Sequence, residues 1–500
     1  MNITVRQGSL TEAGCDALIV NLFEGVKAPG GATGAIDNAL NGAIAAQIAD
    51  EDFEGKLGEC MLVRPVANFP ARQVVVVGLG KLEDFGVIEI MKAAAAAIRK
   101  CKQIKARNVA TIVHGAGIAG LPAFDCGRAT ALGSILGDYE FTKFKTENVK
   151  KSEIESLEIV ELESGKIADI QRAIETARVV GDAITFTRDL VNEPSNIVTP
   201  TYLADIAKSI AQECAMKCSI KDREEFQQEG MGLYAAVARG ASAEPKFIEI
   251  KYEHPDAKKT IALVGKGITF DTGGYSLKNT DSMYRMKDDM SGAAAVLATM
   301  RAVGEIKPKV NVLMLIAATE NAIGPNAIHP GDVVKSLSGK TVEINNTDAE
   351  GRLTLGDAVA YANRAKVDEI IDLATLTGAC VTALGTEISG IIGNNQRLID
   401  TLISKGRSTG ELLWQLPLHT DYKDGLKSDI ADLKNTESGG AGAIRGALFI
   451  HAFVEGTPWV HIDLSSTLTE KDAPLAKQGA VGTGAGTLVE YLLGYAETAE

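Results

Sequence analysis

Near its middle the chain reads Ile261-Ala262-Leu263-Val264-Gly265-Lys266-Gly267-Ile268-Thr269-Phe270-Asp271, an apolar run followed by a lysine and an aspartate. Its first four residues are typical of a buried strand, Ile261–Val264. Similar runs recur between helical patterns: Val310–Ala318, Ile370–Ala374 and Trp459–Leu464. This alternation predicts an α/β domain whose mixed central sheet is flanked by helices. Lys266 and Asp271 are costly to bury at a strand end unless they are paired or bind metal.

Two further acidic segments occur in the same half of the chain. Met286-Lys287-Asp288-Asp289-Met290-Ser291-Gly292 places two acids before a helix of small residues, and Asn346-Thr347-Asp348-Ala349-Glu350-Gly351-Arg352-Leu353 leads into a predicted helix, Thr354–Lys366. In an extended segment Asp348 and Glu350 project to the same side. Each segment alone could supply helix caps or a solvated loop. Together, at strand ends and helix starts, they could ligate two divalent ions through shared carboxylates.

The first third of the chain has its own α/β pattern. The predicted strands are Ala17–Leu22, Met61–Pro65, Val74–Gly78, Val109–His114 and Leu157–Leu162, and the predicted helices are Ile88–Lys105 and Gly127–Tyr139. Ile167–Arg188 is a continuous helical pattern. We therefore predict two α/β domains: an N-terminal domain over residues 1–165, a linker helix over 166–190, and a larger catalytic domain over 191–500.

Composition excludes several classes of protein. The 500 residues carry 51 lysines and arginines against 65 acids, a formal net charge of −14. That balance disfavours a dedicated nucleic-acid or anionic-membrane binder. One basic cluster, from Arg99 to Arg107, fits the solvated end of a helix better than an anion or DNA patch. No apolar run approaches the roughly 18–20 residues that span a bilayer, and the start lacks the features of a secretion signal, so we expect a cytoplasmic protein.

Cysteine and histidine are sparse. The seven cysteines form no CxxC pair, and reduced, mostly buried thiols are expected. Cys214 and Cys218 lie four residues apart in an amphipathic stretch, which predicts that they share a helix face. The six histidines form no HxH or HxxxH pair, so a metal centre would have to be built mainly from carboxylates.

These segments carry a family resemblance. The string from Asn346 to Leu353, the segment Gly265–Asp271, and Met286-Lys287 with Asp289-Met290 stand at the spacing typical of one family, as does Leu373–Ala379. The chain resembles the leucyl aminopeptidases, the cytosol aminopeptidase family of dinuclear metallo-exopeptidases. The resemblance is strong over about residues 160–500 and weak over the N-terminal third.

The resemblance implies a role for each matching residue. Five residues would ligate two divalent ions, Zn²⁺ or Mn²⁺: Lys266, Asp271, Asp289, Asp348 and Glu350. Asp271 and Glu350 would bridge the two ions. The catalytic residues would be Lys278, which polarises the scissile carbonyl, and Arg352, which holds a bicarbonate ion as general base. Substrate binding would fall to Met286, Thr375, Leu376 and Gly378.

The implied activity is removal of N-terminal residues, preferably Leu, Met or other apolar residues, from peptides by attack of a metal-bridging hydroxide. A homohexamer is implied by the resemblance alone. Two other functions stay open: a DNA-binding accessory role, supported by the basic cluster from Arg99 to Arg107, and hydrolysis of another amide, such as that of Cys-Gly.

Overall fold

The computed structural model describes residues 1–50, 53–65, 69–117, 120–147 and 153–496. The chain divides into two compact units. The first contains Met1–Asp182, Ser408–Gly410 and Glu470–Gln478, and the second contains Ala183–Arg407, Glu411–Thr469 and Gly479–Glu500. One helix, Ile167–Asn192, passes from the first unit into the second, and the predicted linker of residues 166–190 lies almost wholly within it.

The first unit is built on a six-stranded sheet. Its strands are β1 (Asn2–Gln7), β2 (Ala17–Leu22), β3 (Cys60–Val63), β4 (Val74–Gly78), β5 (Asn108–Thr111) and β6 (Ser156–Glu161). Its helices are α1 (Gly31–Ala39), α2 (Ala43–Asp50), α3 (Val87–Gln103) and α4 (Ala123–Asp138), and α5 is the shared helix Ile167–Asn192. The strand order is β1-β6-β5-β2-β4-β3, and every neighbouring pair is parallel except β3 with β4. The five predicted strands and two predicted helices are confirmed. Strand β1 and helices α1 and α2 were not predicted from the sequence.

The valines of strand β4 show that this sheet is covered on both faces. Its valines are fully buried, and they alternate between two apolar clusters. Val74 and Val76 pack with Ile36, Ile44 and other residues on one face, and Val75 and Val77 pack with Ala93 and other residues of α3 on the other face. A strand that is buried on both faces has a continuous apolar sequence, which explains why β4 was predictable.

The second unit is built on an eight-stranded mixed sheet. Its strands run in the order β15-β14-β17-β13-β9-β10-β8-β7. The strands of this unit are β7 (Lys217–Lys221), β8 (Lys246–Tyr252), β9 (Thr260–Asp271), β10 (Asn311–Asn321), β11 (Val333–Lys335), β12 (Thr341–Glu343), β13 (Glu369–Ala374), β14 (Ile388–Gly393), β15 (Leu412–Gln415), β16 (Leu433–Lys434), β17 (Trp459–Asp463), β18 (Leu468–Thr469) and β19 (Gly479–Ala480). Its helices are α6 (Pro200–Glu213), α7 (Arg223–Gln228), α8 (Gly232–Ala238), α9 (Thr280–Tyr284), α10 (Ser291–Ile306), α11 (Gly351–Arg364), α12 (Gly378–Leu384), α13 (Gln396–Thr409), α14 (Gly442–His451) and α15 (Ala485–Leu493). The predicted mixed sheet flanked by helices is confirmed.

The central strands β9, β10, β13 and β17 are mutually parallel, so their carboxyl ends lie at one edge of the sheet. Strand β9 is longer than predicted. It does not end at Val264 but continues to Asp271, because β10 pairs with it along its whole length. Lys266 therefore lies inside the sheet, and Asp271 lies at its edge.

The prediction that Cys214 and Cys218 share a helix face is wrong. Helix α6 ends at Glu213, Cys214 caps it, and Ala215 turns the chain at φ +53°. Cys218 lies on β7, so the two thiols do not share a helix face. All seven cysteines are free.

The basic cluster lies at the end of α3, as predicted. Lys102 pairs with Asp138 at 3.3 Å, and Arg107 pairs with Glu155. Burial lowers the pKa of Arg99. Within the described residues, no helix has the length and apolar character needed to cross a membrane.

Candidate metal centre

Three acids converge at the carboxyl edge of the second unit's sheet. Asp271 is the last residue of β9, and Asp348 and Glu350 come directly before α11, with Glu350 at its N-cap. One carboxylate oxygen from each of the three lies within 4.8 Å of the other two. Asp271 and Glu350 are each 2% exposed. Like charges this close in a buried place repel one another unless a cation lies between them.

Lys266 extends from within β9 into the same cluster. Its Nζ atom lies 2.6 Å from Asp289 Oδ1, 2.9 Å from Glu350 Oε1 and 3.0 Å from the Thr375 carbonyl oxygen. Burial opposes the charged amine, but the carboxylates of Asp289 and Glu350 outweigh it and raise the pKa of Lys266. The carboxylates around Lys266 therefore favour its charged form, whereas nearby metal cations would favour the neutral amine that ligation requires.

Lys278 pairs with the other side of the cluster. Its Nζ atom lies 2.8 Å from Asp271 Oδ2 and 2.5 Å from Asp348 Oδ1. The turn after β9 brings it back, since Gly273 adopts φ +85°, a conformation that side chains rarely adopt. A Cβ atom on Gly273 would also lie 2.7 Å from Asp348 Oδ1.

The remaining oxygen of Asp271 is held in place by the protein. Asp271 Oδ1 accepts hydrogen bonds from the Gly273 backbone N–H and from Asn321 Nδ2, both at 2.8 Å. Asn321 is the last residue of β10, the neighbouring strand. Sequence reasoning missed Asn321, although its position at the end of a buried parallel strand is where sites in open sheets are found.

Two carboxylate oxygens in the cluster have no partner among the described residues. Asp289 Oδ2 and Glu350 Oε2 are buried and accept no hydrogen bond. Burial raises the pKa of both carboxyl groups, and neighbouring acids add to the increase for each. Buried acceptors without donors are costly, and hard oxygen donors of this kind suit divalent cations. The residues present therefore fit a metal centre.

Arg352 is the second residue of α11 and is buried. Its Nη1 atom donates to the Asn435 carbonyl oxygen at 2.8 Å, while its Nε atom has no partner. Burial lowers the pKa of Arg352 to about 10, against the opposing influence of Glu350 and Asp463. A buried guanidinium with an unused donor can hold an anion.

The loop after β13 is fixed by an aspartate that sequence reasoning missed. Asp463, at the end of β17, accepts hydrogen bonds from the backbone N–H groups of Leu376 and Thr377 at 3.1 Å and from the Thr377 hydroxyl at 2.6 Å. On the other side, the Thr375 hydroxyl donates to Asp289 Oδ1 at 2.6 Å. The sequence offered one signal for Asp463: like Asp271, it is a charged residue at the end of a buried strand.

A cavity of about 360 Å³ opens onto the cluster. All the predicted site residues line it except Arg352. The lining also includes residues that were not predicted: Asp288, Thr377, Val381, Leu464, Ser465 and Thr467. Asp288 and Thr377 lie within the segments that carry the family resemblance, whereas Val381 in α12 and the three residues after β17 lie outside them.

Comparisons with known proteins agree with this geometry. Residues 185–489 match the profile of the cytosol aminopeptidase family, catalytic domain, and residues 19–148 match that of the same family's N-terminal domain. The chain belongs to the cytosol aminopeptidase family. It is 39% identical to a probable cytosol aminopeptidase of Alkaliphilus metalliredigens, covering 98% of this chain and 99% of the relative. The corresponding Geobacter sulfurreducens protein is 40% identical with the same coverage.

Solved structures of other family members have the same fold. A mutant of tomato leucine aminopeptidase superposes with a TM-score of 0.89 at 38% identity, covering 99% of this chain and 96% of that one. The bottromycin maturation enzyme BotP in complex with Mn gives 0.85 at 30% identity, covering 97% and 100%. As a cytosol aminopeptidase family member, the chain is a hydrolase, a metal-dependent exopeptidase that acts on the N-terminal end of peptides.

Proposed function

We propose that this chain releases N-terminal residues, preferably Leu, Met or other apolar residues, from peptides by attack of an activated water. The observation that carries the proposal is the convergence of Asp271, Asp348 and Glu350 within 4.8 Å at the mouth of a cavity. Apolar side chains that line the cavity, Met286 and Val381 among them, support the preference for apolar residues.

Five side chains would hold two divalent ions. Lys266, Asp271, Asp289 and Glu350 would bind one ion, and Asp271, Asp348 and Glu350 would bind the other, with Asp348 contributing its carbonyl oxygen as well. When bound, divalent ions at this site would supply Lewis-acid chemistry, polarising the scissile carbonyl and lowering the pKa of the attacking water. The ligand set suits either Zn²⁺ or Mn²⁺. The two unpartnered oxygens of Asp289 and Glu350 support this assignment.

Lys278 and Arg352 would supply positive charge for the reaction. The Lys278 ammonium lines the cavity, where it can donate a hydrogen bond to the carbonyl oxygen as negative charge develops there. Its acidic neighbours raise its pKa despite burial. Arg352 would hold a bicarbonate ion as the general base, using the donor that has no protein partner.

The loop of residues 375–378 would hold the substrate backbone. Thr375, Leu376 and Gly378 line the cavity, and Met286 faces the substrate side chain. Asp463 holds the amides of Leu376 and Thr377 in place, so that this loop is preorganised.

Specificity for the N-terminus would come from a contact between the free α-amine and the metal centre. The test compares leucine anilide with N-acetyl-leucine anilide on metal-loaded enzyme, with the dipeptide Cys-Gly as a third substrate. We expect release from the free amine and a loss of at least about 100-fold on acetylation. Equal rates for the two anilides would contradict the amine contact, and exclusive cleavage of Cys-Gly would favour a dipeptidase.

A cytoplasmic homohexamer completes the proposal. Its location rests on the relatives named probable cytosol aminopeptidases. Its assembly rests on the family resemblance, and sedimentation should give about six times the chain mass of 52.7 kDa.

A further inference from the structure

The cavity contains a carboxylate that is not among the proposed metal ligands. Asp288 ends the 3-10 turn Met286–Asp288, lines the cavity and is 8% exposed. Its Oδ2 atom accepts a hydrogen bond from the Thr467 hydroxyl at 3.0 Å. Among the described residues, no basic side chain forms an ion pair with it, because Lys266 and Lys278 pair with other acids.

The lining of the same cavity also includes apolar side chains. Met286, Val381 and Leu464 contribute to its walls, whereas Thr467 and Ser465 accompany the acid. A carboxylate in mostly apolar surroundings is costly to bury without a cation. Lysine and arginine side chains have the complementary form, with an apolar stem and a cationic head.

Lys266 and Arg285 act on Asp288 electrostatically and favour its charged form, whereas burial raises its pKa. In the proposed function, two divalent ions offset the four acids that ligate them. The negative charge of Asp288 is additional to those four. An N-terminal residue with a positive side chain that enters the cavity could form the direct ion pair that Asp288 lacks among the described residues.

We propose that Asp288, oriented by Thr467, is a specificity residue that makes the cavity accept N-terminal lysine and arginine in addition to apolar residues. The inference rests on the proposed aminopeptidase function. Asp288 would bind the cationic head of the side chain, while Met286 and its apolar neighbours contact the stem.

The test uses a matched pair of substrates on the metal-loaded full chain. Lysine anilide and norleucine anilide have similar stems, and only the first carries an ammonium group. The readout is the ratio of their kcat/KM values, in which any general damage to the metal centre cancels. In D288N this ratio should fall by about tenfold or more, since a charge-assisted hydrogen bond is lost. Cleavage of glutamate anilide relative to norleucine anilide should rise, because repulsion is removed.

Two further variants control the experiment. D281N removes an exposed acid seven residues earlier, in α9, and should leave both ratios unchanged. T467V removes the hydroxyl that orients Asp288 and should lower the lysine ratio by a smaller factor, which keeps the inference testable if D288N does not fold.

The outcomes separate the two proposals. An unchanged lysine-to-norleucine ratio in D288N, or an equal fall in D281N, would overturn the role of Asp288 while leaving the aminopeptidase activity in place. Failure of the wild-type chain to release leucine, norleucine or lysine with either Mn²⁺ or Zn²⁺ would overturn the proposed function itself.

Discussion

At the scale of single residues, the site depends on acids that cannot be satisfied by the protein alone. Glu350 has one oxygen 2.9 Å from Lys266 Nζ and another that is buried without a partner. Since it is also proposed to bridge both ions, its removal should affect the two ions together. The sequence identified Glu350 through its motif, but the unpartnered oxygen was visible only in the fold.

We therefore expect Glu350→Ala to abolish aminopeptidase turnover and the tight binding of the second metal. The measurements are kcat/KM with leucine anilide and the metal content after dialysis. Glu387→Ala, which changes an exposed acid in the same unit, serves as the control and should behave as wild type. Turnover retained in Glu350→Ala would contradict the assignment of the ligands.

At the scale of elements, helix α11 is anchored by a buried acid. Asp357 accepts a hydrogen bond from the Tyr234 backbone N–H in α8 at 3.0 Å and another from the Leu337 backbone N–H at 2.8 Å. Burial raises the pKa of Asp357 to about 7, although these amides oppose the rise. Because Glu350 and Arg352 lie at the start of α11, this anchor also positions the site.

The raised pKa predicts a pH-dependent stability. The folded state keeps the Asp357 proton up to about pH 7, whereas an unfolded aspartate loses it near pH 4. The stabilisation is therefore complete below pH 4 and is lost as the pH rises through 7, by at most about 1.4 kcal/mol per pH unit. Urea unfolding measures the free energy of unfolding of the wild type and of Asp357→Asn at pH 5 and pH 8. The value for the wild type minus the value for the variant should be larger at pH 5.

Asp429→Asn, which changes an exposed acid of the same unit, is the control for that comparison and should show no such difference. A gap between wild type and Asp357→Asn that stayed constant from pH 5 to pH 8 would mean that Asp357 does not titrate in this range.

Prediction of the elements succeeded where burial imposed a simple pattern. The valines of β4 and the core of β9 are apolar because neighbours cover both faces. Prediction failed where pairing with a neighbouring strand determines the length of an element. Nothing in Gly265–Asp271 alone indicates that β9 continues past Val264; pairing with β10 decides it. The spacing of Cys214 and Cys218 in an amphipathic stretch likewise suggested a helix. Instead, α6 ends at Glu213, Ala215 turns the chain, and β7 pairs with β8.

At the scale of the whole molecule, charge argues against the DNA-binding alternative. The formal net charge is −14, and within the basic cluster Lys102 and Arg107 are paired with Asp138 and Glu155. We expect no electrophoretic shift of duplex DNA at micromolar protein and physiological salt. A shift that Arg107→Glu abolished would support the alternative; the same change should leave leucine anilide hydrolysis unaffected.

The sequence by itself determined the two α/β domains, the acidic segments and the family resemblance, because strand and helix periods and short motifs are local properties. The shortage of histidine also pointed to a centre made of carboxylates and lysine. Only the tertiary structure decided which distant groups complete the site. Asn321, Asp463, Asp288 and Thr467 belong to it because parallel strands bring their ends to one edge, and that proximity depends on the order of strands in the sheet, which no local pattern encodes.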